Sequence, residues 1–341
     1  MDKKLLLLIA ACTLTPLPAL AREQLRLVGS STVFPFVAAA AEQFAHAGKF
    51  RTPIVESTGT GGGFKMFCEG IGDGFPDMAN ASRSMKPSEI EGCAKHGVTS
   101  ITELKIGYDG IVLANGVKSQ NFALTRKNLF LALAREVPLN GKLVTNPYQT
   151  WREVDASLPD LPIRLYGRPP SSGTRDAFTD LVMVTGCKEI PVMHTLIADE
   201  KKLEKQCMAM REDGHYIEAG DDNNLIVQKL ISNPEALGIF GYSYLETNGA
   251  LVKANPVDGV MPSYESIVDG RYPVARGLFI YIKNAHADKV PGLREFAIEL
   301  ASDAASGEDG YLVMKGLLPL NNTEHAAMKK LAAQLTPMKL D

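Results

Sequence analysis

Hydrophobic and polar positions along the chain predict strands that alternate with helices. Short apolar runs predict strands in "QLRLVG", "TPIVEST" and "DMANAS". After the first of these, "FPFVAAAAEQFAHAG" carries apolar residues at helical spacing and closes on Gly48, as many helices do. "GGFKMFCEG" predicts that a second helix begins after the second strand. The first part of the chain is therefore expected to run strand, helix, strand, helix, strand.

The alternation continues to the end of the chain. Further strands are predicted in "IGYDGIVLAN", "LPIRLYG", "ALGIFGYSYL" and "LFIYIK". Helices are predicted in "RDAFTDLVMVTG", in "DNNLIVQKLISNP" and in most of "PGLREFAIELASDAASGEDGYLVMKG". Ser88 and Glu91, which follow Pro87, have the spacing of a capping box that opens one more helix. This order predicts an α/β fold with mostly parallel sheets, in which ligands bind where strands lead into helices.

The longest uncharged apolar run lies at the N-terminus and reads as an export signal. Two lysines at positions 3 and 4 precede the apolar run 5–14, and Ala19-Leu20-Ala21 matches a small-x-small cleavage site. We therefore expect residues 1–21 to be a signal peptide and the mature protein to be periplasmic. An alternative is that Ile9-Ala10-Ala11-Cys12 acts as a lipoprotein box and leaves Cys12 lipidated. No later stretch is apolar enough to span a bilayer.

Composition and charge narrow the class of protein. The 341 residues are 45% apolar and 22% charged, which is enough for a large core, and the length suggests two domains or lobes. The formal net charge of −3 leaves no basic excess, so nucleic acid is not expected as a partner. An anionic ligand must therefore be bound by a local site rather than by the overall field.

Four of the five cysteines follow the predicted signal peptide: Cys68, Cys93, Cys187 and Cys207. An even number of cysteines in an oxidising compartment implies disulfides. Their spacing favours Cys68–Cys93 and Cys187–Cys207, although three pairings are possible and four free buried thiols are an alternative. A metal site is not expected, because the chain has no Cys-x-x-Cys and no paired histidine near these cysteines.

Four predicted strand-to-helix loops are rich in glycine and in hydroxyl side chains: Gly29–Phe34, Ser57–Gly63, Asn80–Ser84 and Arg168–Asp176. The N-terminus of a helix exposes N–H groups with no partner, so it can bind an anion. Arg83, Arg168 and Arg175 lie in these loops and can donate forked hydrogen bonds to a tetrahedral oxyanion. The alternative is that the hydroxyls only cap helices and that the arginines are surface residues.

The common motifs of enzymes are missing from these loops. Gly59-Thr60-Gly61 does not continue as a dinucleotide fingerprint, because Phe64 stands where the third glycine belongs. The chain has no P-loop and no Gly-x-Ser-x-Gly elbow, and none of its six histidines lies in the four loops. A secreted phosphatase or esterase that uses Ser31 or Ser172 is therefore the weaker alternative, since no base or metal ligand accompanies those serines.

An ordered set of motifs resembles the PstS family of phosphate-binding receptors over nearly the whole mature chain. These motifs are "GSSTVFPF", "ESTGTGGGFK", "ANASRSMK", "IGYDGIVLA", "SSGTRDAF", "NPEALGIFGYSYL" and "YPVARGLFIYIK". The resemblance implies a two-lobed periplasmic binding protein of type II, with a mixed sheet flanked by helices in each lobe and a hinge of two crossing strands. It implies a monomer without cofactor that grips dehydrated phosphate between the lobes and docks on the membrane permease of an ABC transporter.

The resemblance also assigns ligand contacts. It implies hydroxyl contacts and backbone N–H donors from the first loop, a hydroxyl in the glycine-rich loop, and an anion-binding Ser-Gly-Thr turn with an upstream arginine. The corresponding residues are Ser31, Thr32, Val33, Phe34, Thr60, Gly61, Arg168, Ser172, Gly173 and Thr174, and Arg175 follows this turn.

One position departs from the best-known branch of the family, in which an aspartate accepts the proton of phosphate. That place follows Ser82 here and holds Arg83, as it does in other branches. Arg83 is then expected to supply charge, and Asp109 in "GYDG" is the candidate proton acceptor. The alternative is that Asp109 only caps a turn.

The expected lobes are discontinuous. Residues 22–113 and 276–341 are assigned to lobe 1, and residues 114–275 to lobe 2. The loops by themselves suit sulfate, molybdate or a phosphonate as well as phosphate, so the choice of phosphate rests on the resemblance.

Overall fold

The computed structural model describes residues 24–170, 172–220 and 223–339. The predicted signal peptide and Cys12 lie outside these residues. The strands are β1 (Arg26–Gly29), β2 (Ile54–Ser57), β3 (Met78–Ala81), β4 (Ile101–Gly116), β5 (Glu136–Leu139), β6 (Lys142–Thr145), β7 (Leu165–Gly167), β8 (Tyr216–Glu218), β9 (Leu237–Gly241), β10 (Val252–Ala254) and β11 (Ala275–Lys283).

Helices flank these strands along the whole chain. They are α1 (Phe34–His46), α2 (Thr60–Cys68), α3 (Pro87–Lys95), α4 (Arg126–Leu133), α5 (Trp151–Val154), α6 (Gly173–Phe178), α7 (Thr185–Lys188), α8 (Pro191–Leu196), α9 (Glu200–Cys207), α10 (Asn223–Ser232), α11 (Tyr242–Asn248), α12 (Tyr264–Val268), α13 (Leu293–Leu300), α14 (Asp303–Ser306) and α15 (Asn322–Gln334). A π-helical segment, Thr179–Val184, joins α6 to α7, and 3-10 turns span Asn284–His286 and Val313–Lys315. None of the described helices is long and apolar enough to cross a membrane.

The strands form a mixed sheet in the order β2-β1-β3-β11-β4-β9-β7-β8, with β10 also paired to β4. Strand β1 is parallel to β2 and β3, and β7 is parallel to β8 and β9. In contrast, β4 and β11 are antiparallel to each other and to their outer neighbours. The prediction of mostly parallel sheets is therefore wrong, whereas the mixed sheets implied by the family resemblance are confirmed.

Strand β4 is long enough to belong to both halves of the sheet. Its first part, up to Gly110, pairs with β11, and the residues from Ile111 to Ala114 pair with β9. Strands β4 and β11 thus carry the chain between two α/β units, as expected for a hinge of two crossing strands. The predicted lobe limit 113/114 falls within β4, and the limit 275/276 falls at the start of β11. The division into these two lobes stays a prediction.

Helix α1 shows how the apolar pattern produces the packing. Phe36, Val37, Ala40 and Phe44 are buried along one stripe of this helix. The ring of Phe44 meets Phe296 of α13 edge to face at 5.2 Å between centroids. The helices near the C-terminus therefore return to pack on the first unit, as the sequence predicts.

Two element predictions need correction. Helix α3 begins at Pro87, and the Glu89 carboxylate accepts the N–H of Lys86 at 2.8 Å, so the capping interaction lies two residues earlier than the predicted one. The strand predicted in "ALGIFGYSYL" ends at Gly241, and Tyr242–Asn248 forms α11. Apolar residues occur in both kinds of element, so the pattern of a short run did not locate this boundary.

Both predicted disulfides are confirmed. Cys68 at the end of α2 is bonded to Cys93 of α3, and Cys187 of α7 is bonded to Cys207 of α9. Each bridge joins helices that are close in sequence. The first bridge ties α2, which begins at Thr60, to the helix that follows the Arg83 loop.

Candidate functional site

Two loops that are far apart in sequence touch each other between the two units. The Thr32 hydroxyl donates to the carbonyl of Gly173 at 2.9 Å, and the Ser31 hydroxyl donates to the carboxylate of Asp176. A Cβ at position 173 would lie 2.4 Å from the Cα of Thr32, which is closer than atoms approach without a shift. Only glycine therefore allows the two backbones to come this close.

A first cavity of about 520 Å³ opens beside this contact. It is lined by eight of the predicted site residues: Ser31, Thr32, Phe34, Asp109, Arg168, Ser172, Gly173 and Thr174. Asn223, Ser243 and Lys315 also line it, and the sequence pattern did not indicate these three. The first cavity thus combines hydroxyl groups from both units with one buried arginine and one carboxylate.

Arg168 is the buried cation of the first cavity, with 4% of its surface exposed. Its Nη1 donates to the carbonyl of Gly220 at 3.4 Å, and its Nη2 donates to the side-chain oxygen of Asn223. A buried guanidinium costs free energy unless an acceptor or an anion compensates its charge. Its place on the wall of the cavity is therefore suited to an anionic ligand.

Asp109 faces a buried arginine across the hinge strands. It is the direct partner of Arg276 in the pairing of β4 with β11, and the Arg276 Nε lies 3.8 Å from the Asp109 Oδ2. Burial raises the pKa of Asp109, and the charge of Arg276 opposes this rise. Burial likewise lowers the pKa of Arg276, while Asp109 and Asp180 act in the other direction. The carboxyl group is thus buried at the wall of the first cavity beside one cationic neighbour.

Arg276 is a site residue that the sequence analysis missed. Its side chain is 9% exposed, and its Nη2 donates to the Thr32 hydroxyl at 2.7 Å. The motif "YPVARGLFIYIK" contains this arginine, but its role depends on a strand register that joins residues from distant parts of the chain. The only available signal was the presence of one arginine in a strand expected to cross the hinge.

Four of the six remaining predicted residues line a second cavity, of about 310 Å³. Thr60, Gly61, Ser82 and Arg83 line it together with Ser31, Thr32, Asp176, Asp180 and Arg276. The Thr60 Oγ1 lies 3.1 Å from the Ser82 Oγ and accepts the Ser82 N–H at 3.2 Å. Ser31 and Thr32 line both cavities, so the predicted site residues are divided between two neighbouring spaces rather than gathered in one.

Arg83 is engaged within its own unit. Its Nη1 and Nη2 each donate to Glu89 at 2.8 Å, and its guanidinium lies 5.4 Å from the centre of the Phe64 ring. The hydrogen bond to Glu89 raises the pKa of Arg83. The role of Arg83 as a source of charge for the ligand stays a prediction. In this structure, the carboxylate of Glu89 balances its charge.

The backbone donors expected from the first loop are occupied in this structure. The N–H of Val33 points to the Ser30 hydroxyl at 3.4 Å, and the N–H of Phe34 donates to the Ser30 carbonyl at 3.0 Å. Helix α1 begins at Phe34, and Pro35 has no N–H to offer. The roles of Val33 and Phe34 as donors to an anion stay a prediction, and in this conformation Ser30 accepts both N–H groups.

Arg175 does not line either cavity. Its Nη1 donates to the backbone carbonyl of Arg168 at 3.1 Å, and its guanidinium lies 4.3 Å from the centre of the Tyr216 ring. It lines a different space, of about 390 Å³, together with Tyr216. The direct contact of Arg175 with the ligand stays a prediction, and in this structure the side chain instead contacts the Arg168 carbonyl and the Tyr216 ring.

The chemistry available in the two cavities is that of anion binding. Hydroxyl groups, Arg168 and Arg276 can donate hydrogen bonds, and Asp109 can accept one. Neither lining includes a histidine or a cysteine. Across the ranges that the structure describes, no cluster of three or more His, Cys, Asp or Glu residues is arranged to hold a metal ion.

Comparison with known proteins gives consistent matches along most of the chain. The PBP superfamily domain matches residues 15–304. Protein SphX of Synechococcus elongatus is 35% identical over 267 residues, which cover 76% of this chain and 68% of that protein. The phosphate-binding protein PstS of Staphylococcus saprophyticus is 30% identical over 293 residues, which cover 84% of this chain and 78% of that protein.

Solved structures agree with these sequence matches. A "possible phosphate binding protein" from Planctomyces limnophilus superposes with a TM-score of 0.73 at 26% identity, covering 91% of this chain and 98% of that one. An ABC-type phosphate transport receptor from Vibrio cholerae superposes with a TM-score of 0.59 at 17% identity, covering 87% of this chain and 100% of that one. At 17% identity the second match supports the fold alone.

Proposed function

Since this chain belongs to the PstS phosphate-binding proteins of the PBP superfamily, we propose that it binds inorganic phosphate between its two lobes and delivers it to the permease of an ABC transporter. The relatives are binding proteins rather than enzymes. The observation that carries the proposal is the first cavity, where Ser31 and Thr32 from one lobe meet Ser172–Thr174 and Arg168 from the other. A ligand that contacts both sets of groups stabilises the closed form.

Tetrahedral phosphate suits these groups. Its oxygens accept hydrogen bonds from the Thr174 hydroxyl and from those of Ser31 and Thr32, which turn from Asp176 and the Gly173 carbonyl to the anion. The Arg168 guanidinium supplies a compensating charge and forked donors. Arg276 lies behind Thr32 and orients that hydroxyl through the bond of 2.7 Å. In this proposal, movement of the Ser31–Thr32 loop joins the second cavity to the first, so that the hydroxyls of Thr60 and Ser82 and the Arg83 guanidinium face the same ligand.

Asp109 is proposed to recognise the proton that phosphate carries and sulfate lacks. The hydrogen-phosphate dianion donates a hydrogen bond to the carboxylate. Sulfate presents only lone pairs and a like charge to the same oxygen atoms, so it is rejected by repulsion. Burial raises the pKa of Asp109, and the charge of Arg276, whose Nε lies 3.8 Å away, acts in the other direction and favours the carboxylate form that accepts this bond.

Export is proposed to follow the N-terminal signal. Cleavage after Ala21 yields a periplasmic receptor, and lipidation of Cys12 is the alternative outcome. The mass of the protein purified from the producing cells distinguishes the two, because a diacylated Cys12 retains residues 12–21 and adds the mass of the lipid.

Calorimetric titration of the mature protein with phosphate, sulfate and molybdate tests the ligand. We expect saturable phosphate binding and little heat from the other two anions. Arg168→Ala is expected to weaken phosphate binding by about 10- to 150-fold, the loss of a charged hydrogen bond of about 1.5–3 kcal/mol. Arg152→Ala is the matched control, because Arg152 lies at the surface in an ion pair with Asp160. Equal binding of phosphate and sulfate, or no binding, contradicts the proposal.

A chromogenic phosphomonoester, with and without divalent metal ions, tests the enzymatic alternative. The receptor is expected to show no turnover. Catalysed hydrolysis that disappears in Ser31→Ala or Ser172→Ala would favour a phosphatase instead.

A further inference from the structure

The backbone carbonyl of Arg168 is held by two side chains. The Tyr216 hydroxyl donates to the Arg168 backbone carbonyl at 2.8 Å, and the Arg175 Nη1 donates to the same oxygen atom at 3.1 Å. Arg175 and Tyr216 line the space of about 390 Å³ described above, which we call the rear cavity. Arg168 itself lines the first cavity, and both donors to its carbonyl line the rear cavity.

The pairing of two strands places Tyr216 next to the Arg168 carbonyl. It lies on β8, in register with Leu165 of the parallel strand β7, and is 6% exposed. A Cβ at position 167 would lie 2.1 Å from the Tyr216 hydroxyl oxygen, so glycine at 167 is what makes room for the phenol. The Arg175 guanidinium lies 4.3 Å from the centre of the same ring, within the range of a cation–π contact.

Arg168 lies between the end of strand β7 and two prolines, and the preceding Gly167 carbonyl accepts the N–H of Ala219 at 2.8 Å. Arg168 precedes Pro169 and Pro170, which have no N–H groups to donate. The N–H of Ser172 donates to the Pro169 carbonyl at 3.0 Å, which closes the turn beyond Arg168. The two side-chain donors therefore hold the Arg168 carbonyl at the point where the chain leaves β7.

We propose that Arg175 and Tyr216 are positioning residues that set phosphate affinity through Arg168 without touching the anion. The inference rests on the proposed function, because it assumes that Arg168 contacts phosphate. The two donors hold the backbone carbonyl of Arg168 in place. The hydrogen bonds to Gly220 and Asn223 hold its guanidinium, at the other end of the side chain. Loss of Arg175 leaves the guanidinium present but free to leave the geometry that the anion requires.

A double-mutant cycle with phosphate titration tests this coupling. Arg175→Ala alone is expected to weaken phosphate binding by about tenfold. In the Arg168→Ala background, the same change is expected to have less than about a twofold effect, because the group that it positions is gone. If Arg175 touched phosphate itself, or acted on the site by another route, the two losses would multiply, and that result overturns the proposal.

Conservative variants separate the two donors. Arg175→Lys keeps a cation over the ring and a donor within reach, and is expected to recover part of the lost affinity. Tyr216→Phe keeps the ring and removes only the hydroxyl, and is expected to weaken binding by about threefold. Thermal unfolding of each variant, measured without phosphate, verifies that the protein is folded. Full wild-type affinity in both Arg175→Ala and Tyr216→Phe overturns the proposal.

Arg135→Ala is the matched control for charge. Arg135 is exposed and lines the same rear cavity, so its removal takes away the same charge near the site. The described contacts to the Arg168 carbonyl come from Arg175 and Tyr216 and do not include this side chain. Unchanged affinity in Arg135→Ala is expected, and a loss equal to that of Arg175→Ala overturns the proposal in favour of a field effect. If the wild-type protein binds no phosphate, both the proposed function and this inference are refuted. If the wild type binds phosphate but the affinity losses of Arg168→Ala and Arg175→Ala multiply in the double variant, only the inference is refuted.

Discussion

Replacement of Gly173 by alanine tests whether the contact between the two loops belongs to the closed, ligand-binding form. The added Cβ would lie 2.4 Å from the Thr32 Cα, 2.6 Å from the Thr32 N and 2.8 Å from the Ser31 carbonyl carbon. All three are backbone atoms, so no side-chain rotation relieves the overlap. The loops have to separate by about 1 Å to restore an ordinary contact of 3.4 Å, which breaks the bond from Thr32 to the Gly173 carbonyl.

Overpacking of this kind costs about 1–3 kcal/mol. A two-lobed receptor relieves it by opening, so the cost falls on the closed form and appears as a loss of phosphate affinity of about 5- to 150-fold. The melting temperature without phosphate is expected to stay close to that of the wild type. Gly92→Ala is the control, because a Cβ at that position in α3 meets no atom within 4 Å. Wild-type affinity in Gly173→Ala, measured by calorimetry, would refute the reasoning that the two loops close on the ligand.

Three further predictions concern other parts of the molecule. Asp109→Asn is expected to weaken phosphate binding modestly and to raise sulfate binding relative to it, and an unchanged ratio in a competition titration would assign discrimination to another group. Loss of the Cys68–Cys93 bridge by serine substitution is expected to lower the free energy of unfolding by about 3 kcal/mol, and an unchanged midpoint in denaturant would contradict this. The hydrogen bond from Arg211 lowers the pKa of Asp213 on folding, so the stability that this carboxylate contributes is present above its unfolded pKa of about 4 and lost as the pH falls towards the folded value. Asp213→Asn is therefore expected to destabilise the protein at pH 7 and to match the wild type in strong acid, and an equal difference at both pH values would show that another group is responsible.

Local interactions explain what could be predicted from the amino-acid sequence. Alternating apolar runs and glycine-rich turns placed the strands that lead into the four loops, because strand and helix periods are properties of neighbouring residues. The cysteine pairs were predicted correctly because each joins helices that are close in the chain. The strand-to-helix pattern indicated the loops, and the family resemblance named Ser31, Thr32, Ser172 and Thr174, which the structure places around one cavity.

Tertiary structure decided the relations between distant segments. The register of β4 against β11 places Arg276 opposite Asp109, and no local pattern encodes a pairing across that span of chain. The direction of the Arg175 side chain depends on the ring of Tyr216, which reaches it through the pairing of β7 with β8. The division of the predicted residues between two cavities depends on how closely Gly173 lets the Thr32 loop approach. Residue types and spacing determined which chemical groups were available, whereas packing and strand register determined which of those groups meet, because both depend on contacts that form only when the whole chain has folded.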